Sequence, residues 1–299
     1  MSGREGPDRL QAGGDTGSAE TPGATEGVRP AGPQGRVALE VRKRFIMGLA
    51  ALPLLPRDPG PPPSALGAPG ATLTLLAANV ECTMADADAQ VAALLDADAD
   101  LVCIIEHTTA TADALARSAF GELYPHVSED VDEGWFGSLV AARHPIVDRR
   151  LLDLGGRPGH VVDIDVDGID IRVVPVHAQA PIEVGDVSLW HTTIAAAAAI
   201  AEGCDRPLIL AGDWNATGGH GHYRRALAHH DLVDAQARVG RRWFPTWPVD
   251  HPIAGIRFPP FLPLDHIVTS RDVLTEALER IRVPGTDHMA LRATLRLPA

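Results

Sequence analysis

The chain has 299 residues, is 45% hydrophobic, contains 29 Gly and 25 Pro, and carries a formal net charge of -13. That length can bury a substantial core, as one large domain or two ordinary ones. The charge weighs against a protein that wraps nucleic acid, because an acidic surface repels a phosphate backbone unless a local basic patch compensates.

Residues 1 to 70 read as a disordered tail and linker. "MSGREGPDRLQAGGDTGSAETPGATEGVRPAGPQGR" is Gly, Pro, Ser, Thr and charge without apolar periodicity, and "PRDPGPPPSALGAPGA" is a stiff Pro-rich spacer. Between them "VRKRFIMGLAALPLLP" places basic residues before the apolar run Phe45 to Leu55. That run contains Pro53 and is only half the length of about twenty residues that a bilayer span requires. It also lies too far from residue 1 for a signal peptide. The expectation is a soluble chain, or one peripheral at a membrane, without a spanning helix.

The acidic excess belongs to residues 71 to 299, which hold 32 acidic residues against 18 basic ones, all Arg. Arg241 and Arg242 in "VGRRW" come nearest to a basic cluster. Cys82, Cys103 and Cys204 have no metal-type spacing and are too few for a disulfide framework. Cys103 lies inside an apolar run and is expected to pack as a small hydrophobe.

Regular structure is expected from Ala71. "ATLTLLAANV" reads as a strand ending at Asn79, "ADAQVAALLDADA" as a helix, and "DLVCIIE" as a buried strand ending at Glu106. "ADALARSAF" supports a helix, and "GWFGSLVAARHPIV" a strand and turn. "GHVVDIDVDGIDIRVVPVHAQAP" alternates about Asp167-Gly168, the strongest hairpin signal, and its second arm reaches His177. An Ala-rich helix, residues 186 to 203, closes at Gly203. The strand "PLILAGDWNA" follows, then the helical "HYRRALAHHDLVDA", an aromatic Pro-rich loop, the strand "LDHIVTS" and a final strand pair through "DHMALRATLRL". Strands, helices and antiparallel hairpins in this alternation suggest an α/β sandwich with mixed sheets.

One regularity carries chemistry. Asn79, Glu106, His177, Asp213 with Asn215, Asp265, and Asp287 with His288 each lie at or beside an apolar strand end. A single polar strand end is a turn; all of them on one rim would be a site. Glu106 and Asp287 with the Asn79 carbonyl are hard oxygen ligands suited to Mg²⁺ or Mn²⁺, and such an ion offsets charge on a phosphoryl transition state. Asp265 with His288 has the residue types of an oriented imidazole. Asp213 can hold attacking water or protonate a leaving oxygen, while Asn215 and His177 can donate to phosphate oxygens.

In order and spacing, "AANVE", "DLVCIIEH", "GSLVAARHP", "VPVHAQAP", "AGDWNA", "LDHIV" and "GTDHMAL" resemble the endonuclease/exonuclease/phosphatase superfamily, the DNase I-like fold. The resemblance spans roughly residues 71 to 297. It implies a four-layered sandwich with two central sheets and metal-dependent hydrolysis of a phosphate ester. "LYPHV", "HAQAP" and "PTWP" further resemble the actinobacterial VanJ-like branch, which implies a cell-envelope lipid pyrophosphate as substrate. Relatives of that branch usually carry transmembrane helices before the catalytic domain, and here only the Phe45 to Leu55 run stands in their place. Ala142 also replaces a Ser that relatives often have.

The expected partner is therefore a small-molecule or lipid phosphoester, acted on by a monomer in peripheral contact with a membrane. A nuclease with the same catalytic groups is the rival reading, disfavoured by the acidic domain. A catalytically silent binding module ranks last, since every expected polar position is filled. Glu81 reads equally as an outer metal ligand and as a solvated carboxylate. His220, His222, His229 and His230 lack zinc-motif spacing, His107 and His126 read as structural or solvated, and His266 should face away from Asp265 across the strand. The Trp243 to Pro263 loop reads first as a segment folded onto the core; exposed, it would form an apolar lip.

Overall fold

The apolar runs become strands buried on both faces. In the computed structural model, which describes residues 70–82, 86–182, 184–241, 243–253 and 255–299, β1 (Thr72–Asn79) is buried from Leu75 onward. The tail through residue 69, with its Phe45 to Leu55 run, and Arg242 lie outside the described residues. Among those described, no helix is long and apolar enough to cross a membrane.

After β1 come α1 (Ala87–Asp96), β2 (Leu101–Ile105), α2 (Thr109–Arg117), α3 (Phe120–Leu123), β3 (His126–Asp130), β4 (Ser138–Ala142), β5 (Ile146–Asp153), β6 (Pro158–Val166) and β7 (Ile169–His177). The second half holds α4 (Val184–Ala199), β8 (Leu208–Asp213), α5 (Gly221–His229), β9 (Leu232–Asp234), α6 (Ala235–Arg238), the short pair β10 (Pro252–Ile253) and β11 (Ile256–Arg257), then β12 (Asp265–Ser270), β13 (Leu274–Arg282) and β14 (Met289–Arg296).

Two six-stranded sheets result, ordered β13-β14-β1-β2-β4-β3 and β5-β6-β7-β8-β12-β9. Each has one parallel pair at its centre, β1 with β2 and β7 with β8, and antiparallel neighbours on either side. Parallel neighbours need a crossover, and α1 and α4 provide it, each packing on the outside of its sheet. The period-2 alternation then sorts side chains into layers. Leu75, Ala77 and Cys103 from one sheet meet Val173, Ile209 and Ala211 from the other. Leu76, Val102 and Ile104 face outward onto Leu94 and Leu115 of α1 and α2. Val174 and Leu210 face Trp190 and Ile194 of α4 and Tyr223 of α5. The expected four-layered α/β sandwich with two central mixed sheets is what forms.

This topology positions the site. The parallel pairs deliver the C-terminal ends of β1, β2, β7 and β8 to one rim. The antiparallel neighbours β12 and β14 begin there. The aromatic loop before β12 folds onto the same end: Val249 N–H donates to Asp287 O at 2.8 Å and Met289 N–H to Thr246 O at 2.8 Å. Trp243, Trp247 and Phe261 pack against buried Leu262 and Leu264, so most of the loop's aromatic surface is covered, and Phe258 stays 42% exposed.

Candidate active site

The stretch "AGDWNA" makes a turn, and the turn builds part of the site. β8 pairs in parallel with β7 so that Gly212 faces Val176 and Asp213 faces His177. Gly212 has φ of 143°, and a Cβ there would lie 2.2 Å from the Val176 carbonyl oxygen; only glycine permits that approach. Asp213 Oδ1 then accepts the Asn215 backbone N–H at 2.7 Å. The Asn215 side-chain amide donates to Asp213 Oδ2 at 3.2 Å and to Ala178 O at 3.0 Å. Both amide hydrogens thus have acceptors within the protein, and Asn215 holds Asp213 rather than facing outward.

Across the sheet, β12 places Asp265 opposite Asp213. Asp265 Oδ2 accepts His288 Nδ1–H at 2.7 Å. The other ring nitrogen of His288 looks toward Asp213 Oδ2 at 3.7 Å and Asp287 Oδ1 at 3.6 Å. Burial opposes charge on His288, but the carboxylates of Asp265, Asp213 and Asp287 outweigh it and raise its pKa well above the ordinary imidazole value. The Asp213 pKa also moves upward, but there burial prevails. Burial and the neighbouring Asp265 charge push its pKa up to about 6, against the pull of His288 and His177. A carboxylate and an imidazole in contact, with pKa values driven toward neutrality or above, make an acid/base couple.

Glu106 lies just past β2, with φ of 59°. Glu81 and Asn215 also have positive φ, 54° and 46°; such backbone clusters where side chains must be aimed. Asn79 Nδ2–H donates to Glu106 Oε1 at 2.9 Å, and the Cys82 N–H to Oε2 at 2.9 Å. Burial works against the Glu106 carboxylate. The His177 and His288 imidazoles and these two donors prevail and hold its pKa below the ordinary value. His177 Nδ1–H donates to Trp135 O at 2.6 Å, which leaves Nε2 facing Glu106 Oε1 at 3.7 Å and Asp213 Oδ2 at 3.9 Å.

These residues suit a hard divalent cation. Glu106 and Asp287 offer carboxylate oxygens with lone pairs beyond those used by their N–H donors, the hard ligands such an ion prefers. The Asn79 carbonyl oxygen already accepts Glu81 N–H at 2.9 Å, so Asn79 chiefly aims Glu106. Asp213, Asp265 and His288 also bring donor atoms within 4.8 Å of one another, but the Asp265–His288 hydrogen bond occupies one of them on each partner.

All eight residues singled out in the sequence therefore reach one rim. Several others there were not assigned such roles. Trp247 Nε1–H donates to Asp287 Oδ2 at 2.7 Å, Thr246 Oγ1 accepts the N–H groups of Leu264 and Asp265, and Thr286 Oγ1 donates to Asn79 O at 2.8 Å. "PTWP" and the Thr preceding Asp287 were the available signals. Glu81 Oε2 accepts Asp287 N–H at 3.2 Å, which ties the carboxylate to the strand end it neighbours. The other histidines make contacts elsewhere: His220 with Trp190, His222 with His191, and His229 and His230 beside Glu202. His107 is fully buried, with Nε2 3.1 Å from Glu129.

Sandwich and rim together define a hydrolase of the two-sheet phosphoesterase class. The chain belongs to the Endonuclease/Exonuclease/phosphatase family, whose model matches residues 76–288. Enzymes of that family hydrolyse phosphoester bonds and are generally dependent on divalent metal. Among curated proteins none matches the sequence. Similar solved structures include a humanized TDP2 of D. rerio, 15% identical over 75% of this chain and 98% of that one, with a TM-score of 0.59. An endonuclease/exonuclease/phosphatase from Beutenbergia cavernae is 18% identical, covering 76% and 72% with a TM-score of 0.57. Sphingomyelinase C from Streptomyces griseocarneus is 18% identical, covering 75% and 99% with a TM-score of 0.55. At such identities the likeness concerns the fold.

Proposed function

We propose that residues 71–299 form a Mg²⁺-dependent (or Mn²⁺-dependent) phosphoesterase that hydrolyses a phosphate or pyrophosphate ester with an apolar portion, of the kind found in cell-envelope lipids. The carrying observation is the buried Asp213–Asp265–His288 cluster set against the oriented carboxylates Glu106 and Asp287. Glu106 and Asp287 would hold a divalent ion, which would supply charge neutralisation at the phosphoryl oxygens. Asp213, held by both hydrogen-bond donors of Asn215, takes a proton from the attacking water. His288, oriented and kept cationic by Asp265, donates to a phosphoryl oxygen, and His177 presents Nε2 from the other side.

The VanJ-like features of the sequence support the lipid substrate, as do the acidic surface and the apolar side chains left exposed: Trp135 at 58%, Ile256 at 59% and Phe258 at 42%. The same side chains would serve peripheral contact with a membrane. The names of the similar structures divide between a lipid enzyme, sphingomyelinase C, and a TDP2 complexed with single-strand DNA product. A nuclease would need a phosphate-tracking basic stripe, and the acidic composition does not favour one.

The deciding experiment is phosphate release by the full chain from a polyprenyl diphosphate in detergent, with Mg²⁺ and with chelator. Metal-dependent release is expected. Folded, metal-loaded protein that leaves the lipid untouched but cleaves oligonucleotides with steep salt dependence would move the assignment to a nuclease.

A further inference from the structure

Resting on the phosphoesterase reading, we infer that Arg157 forms an anion subsite beside the rim that takes the non-scissile phosphate of a diphosphate ester, with Leu151, Leu152 and Pro158 receiving the first part of its apolar chain. The β5–β6 turn brings Arg157 to the catalytic end. Arg157 there reaches Gln179, two residues past His177 at the end of β7. The turn is fixed by Leu154 N–H donating to Arg157 O at 2.7 Å, across Gly155 and Gly156, whose φ values are 68° and 94°.

The guanidinium is held and has no carboxylate partner among the described residues. It lies over the Phe136 ring, 4.2 Å from the centroid, and donates through Nη2 to Gln179 Oε1, while its buried Nε has no acceptor. The same Phe136 ring is 5.6 Å from the His177 ring. Through that shared ring the Arg157 carbon lies within about 10 Å of the His177 imidazole, a span two linked phosphates cover with a hydrogen bond of about 2.9 Å at each end. Many other arginines of this acidic chain pair with carboxylates, as Arg172 does with Asp163 at 2.8 Å. An ordered guanidinium free of one, beside a phosphoester site, is prepared for a ligand's anion.

An open cavity of about 510 Å³ adjoins it, lined by Leu151, Leu152, Asp153, Gly156, Arg157 and Pro158. Leu151 is 73% exposed. Asp153 is the one carboxylate in that lining and uses Oδ1 to accept the Gly156 N–H. A diphosphate ester fits this order of groups: terminal phosphate at the rim, inner phosphate at Arg157, alkyl chain along the leucines. Water attacks the terminal phosphorus and its proton passes to Asp213. The anhydride P–O bond breaks, and the bridging oxygen leaves on the inner phosphate opposite Arg157. Products are orthophosphate and the monophosphate ester.

The test compares kcat/KM for farnesyl diphosphate and farnesyl monophosphate in wild type, Arg157→Lys and Arg157→Gln. Arg157→Gln should lose about thirtyfold on the diphosphate and under about threefold on the monophosphate, with Arg157→Lys between. Should Arg157→Gln not fold, Gln179→Leu removes the anchor and keeps the charge, and should show the same selective loss at smaller size. Equal losses on both substrates would overturn the subsite, as would an equal loss on a single-stranded oligonucleotide, which would make Arg157 a backbone contact. Wild-type enzyme inert toward every phosphoester would instead remove the phosphoesterase reading and the subsite with it.

Discussion

Two buried Asp–His pairs lie back to back at the start of β12, and they differ in one respect. In each, a ring Nδ1 meets a carboxylate oxygen at 2.7 Å: His288 with Asp265, and His266 with Asp234. The second nitrogen of His266 is also consumed, donating to Ala216 O at 2.7 Å and Pro263 O at 3.2 Å. Both nitrogens of His266 thus face oxygen acceptors inside the protein, which favours its charged form. Burial opposes that charge, and Asp234 with the carbonyls overcomes it, raising the pKa. Tyr223 O–H completes the cluster on Asp234 at 2.9 Å. His288 instead keeps Nε2 uncommitted at the rim, with carboxylates no nearer than 3.6 Å. An Asp–His contact is thus no mark of catalysis; the nitrogen left over for substrate is.

That contrast can be broken. The largest effect should come from His288→Ala or Asp213→Ala: kcat of the folded fraction reduced about 10²- to 10⁴-fold, with His288→Ala also losing stability because it strands buried Asp265. Normal turnover by either folded variant would end the assignment of that pair to chemistry. On the other side, His266→Ala should cost about 3–5 kcal/mol of stability in denaturant melts, because it strands a buried carboxylate, while kcat of the folded fraction stays within a few-fold. If His266→Ala lowered kcat as His288→Ala does, without loss of stability, the two pairs would be one functional unit.

The smallest effect concerns pH. Asp213 must be ionised to act as a base, so kcat/KM should fall about tenfold per pH unit below an apparent pKa of about 6. Its folded pKa lies above the ordinary 3.8. Its contribution to stability is therefore full below pH 3.8 and lost as pH rises through about 6. Asp213→Asn should accordingly stabilise the protein more at pH 8 than at pH 4.5, by about 2 kcal/mol. An acidic limb centred near pH 4, with no pH-dependent stabilisation, would mean that Asp213 sits in a wetter site than described.

Much of this was legible beforehand. Continuous apolar runs marked β1, β2, β8 and β12, and Asp167-Gly168 marked the β6–β7 hairpin. Edge strands were less readable. β5 is exposed over most of its length and β3 over much of it, so neither carries the apolar pattern that identifies a strand, and β9 has only three residues. Among site residues, identities were readable and duties were not. Asn79 and Asn215 were expected to face a metal and a phosphate; their amides are engaged in aiming Glu106 and Asp213. Trp247 was read only as part of an aromatic loop, because nothing local shows that its N–H meets Asp287.

The sequence by itself determined which side chains end their strands, because a period-2 strand stopped by a polar residue puts that residue at the sheet's edge. It also determined that Asp265 and His266, being adjacent, must face opposite sides. Only the tertiary structure decided which histidine each aspartate region meets and which nitrogen stays free. Those outcomes depend on the β8–β12 register and on the approach of β14 to β1, where Thr286, just before β14, meets Asn79 at the end of β1 from 207 positions away, and no local pattern encodes a pairing across that distance.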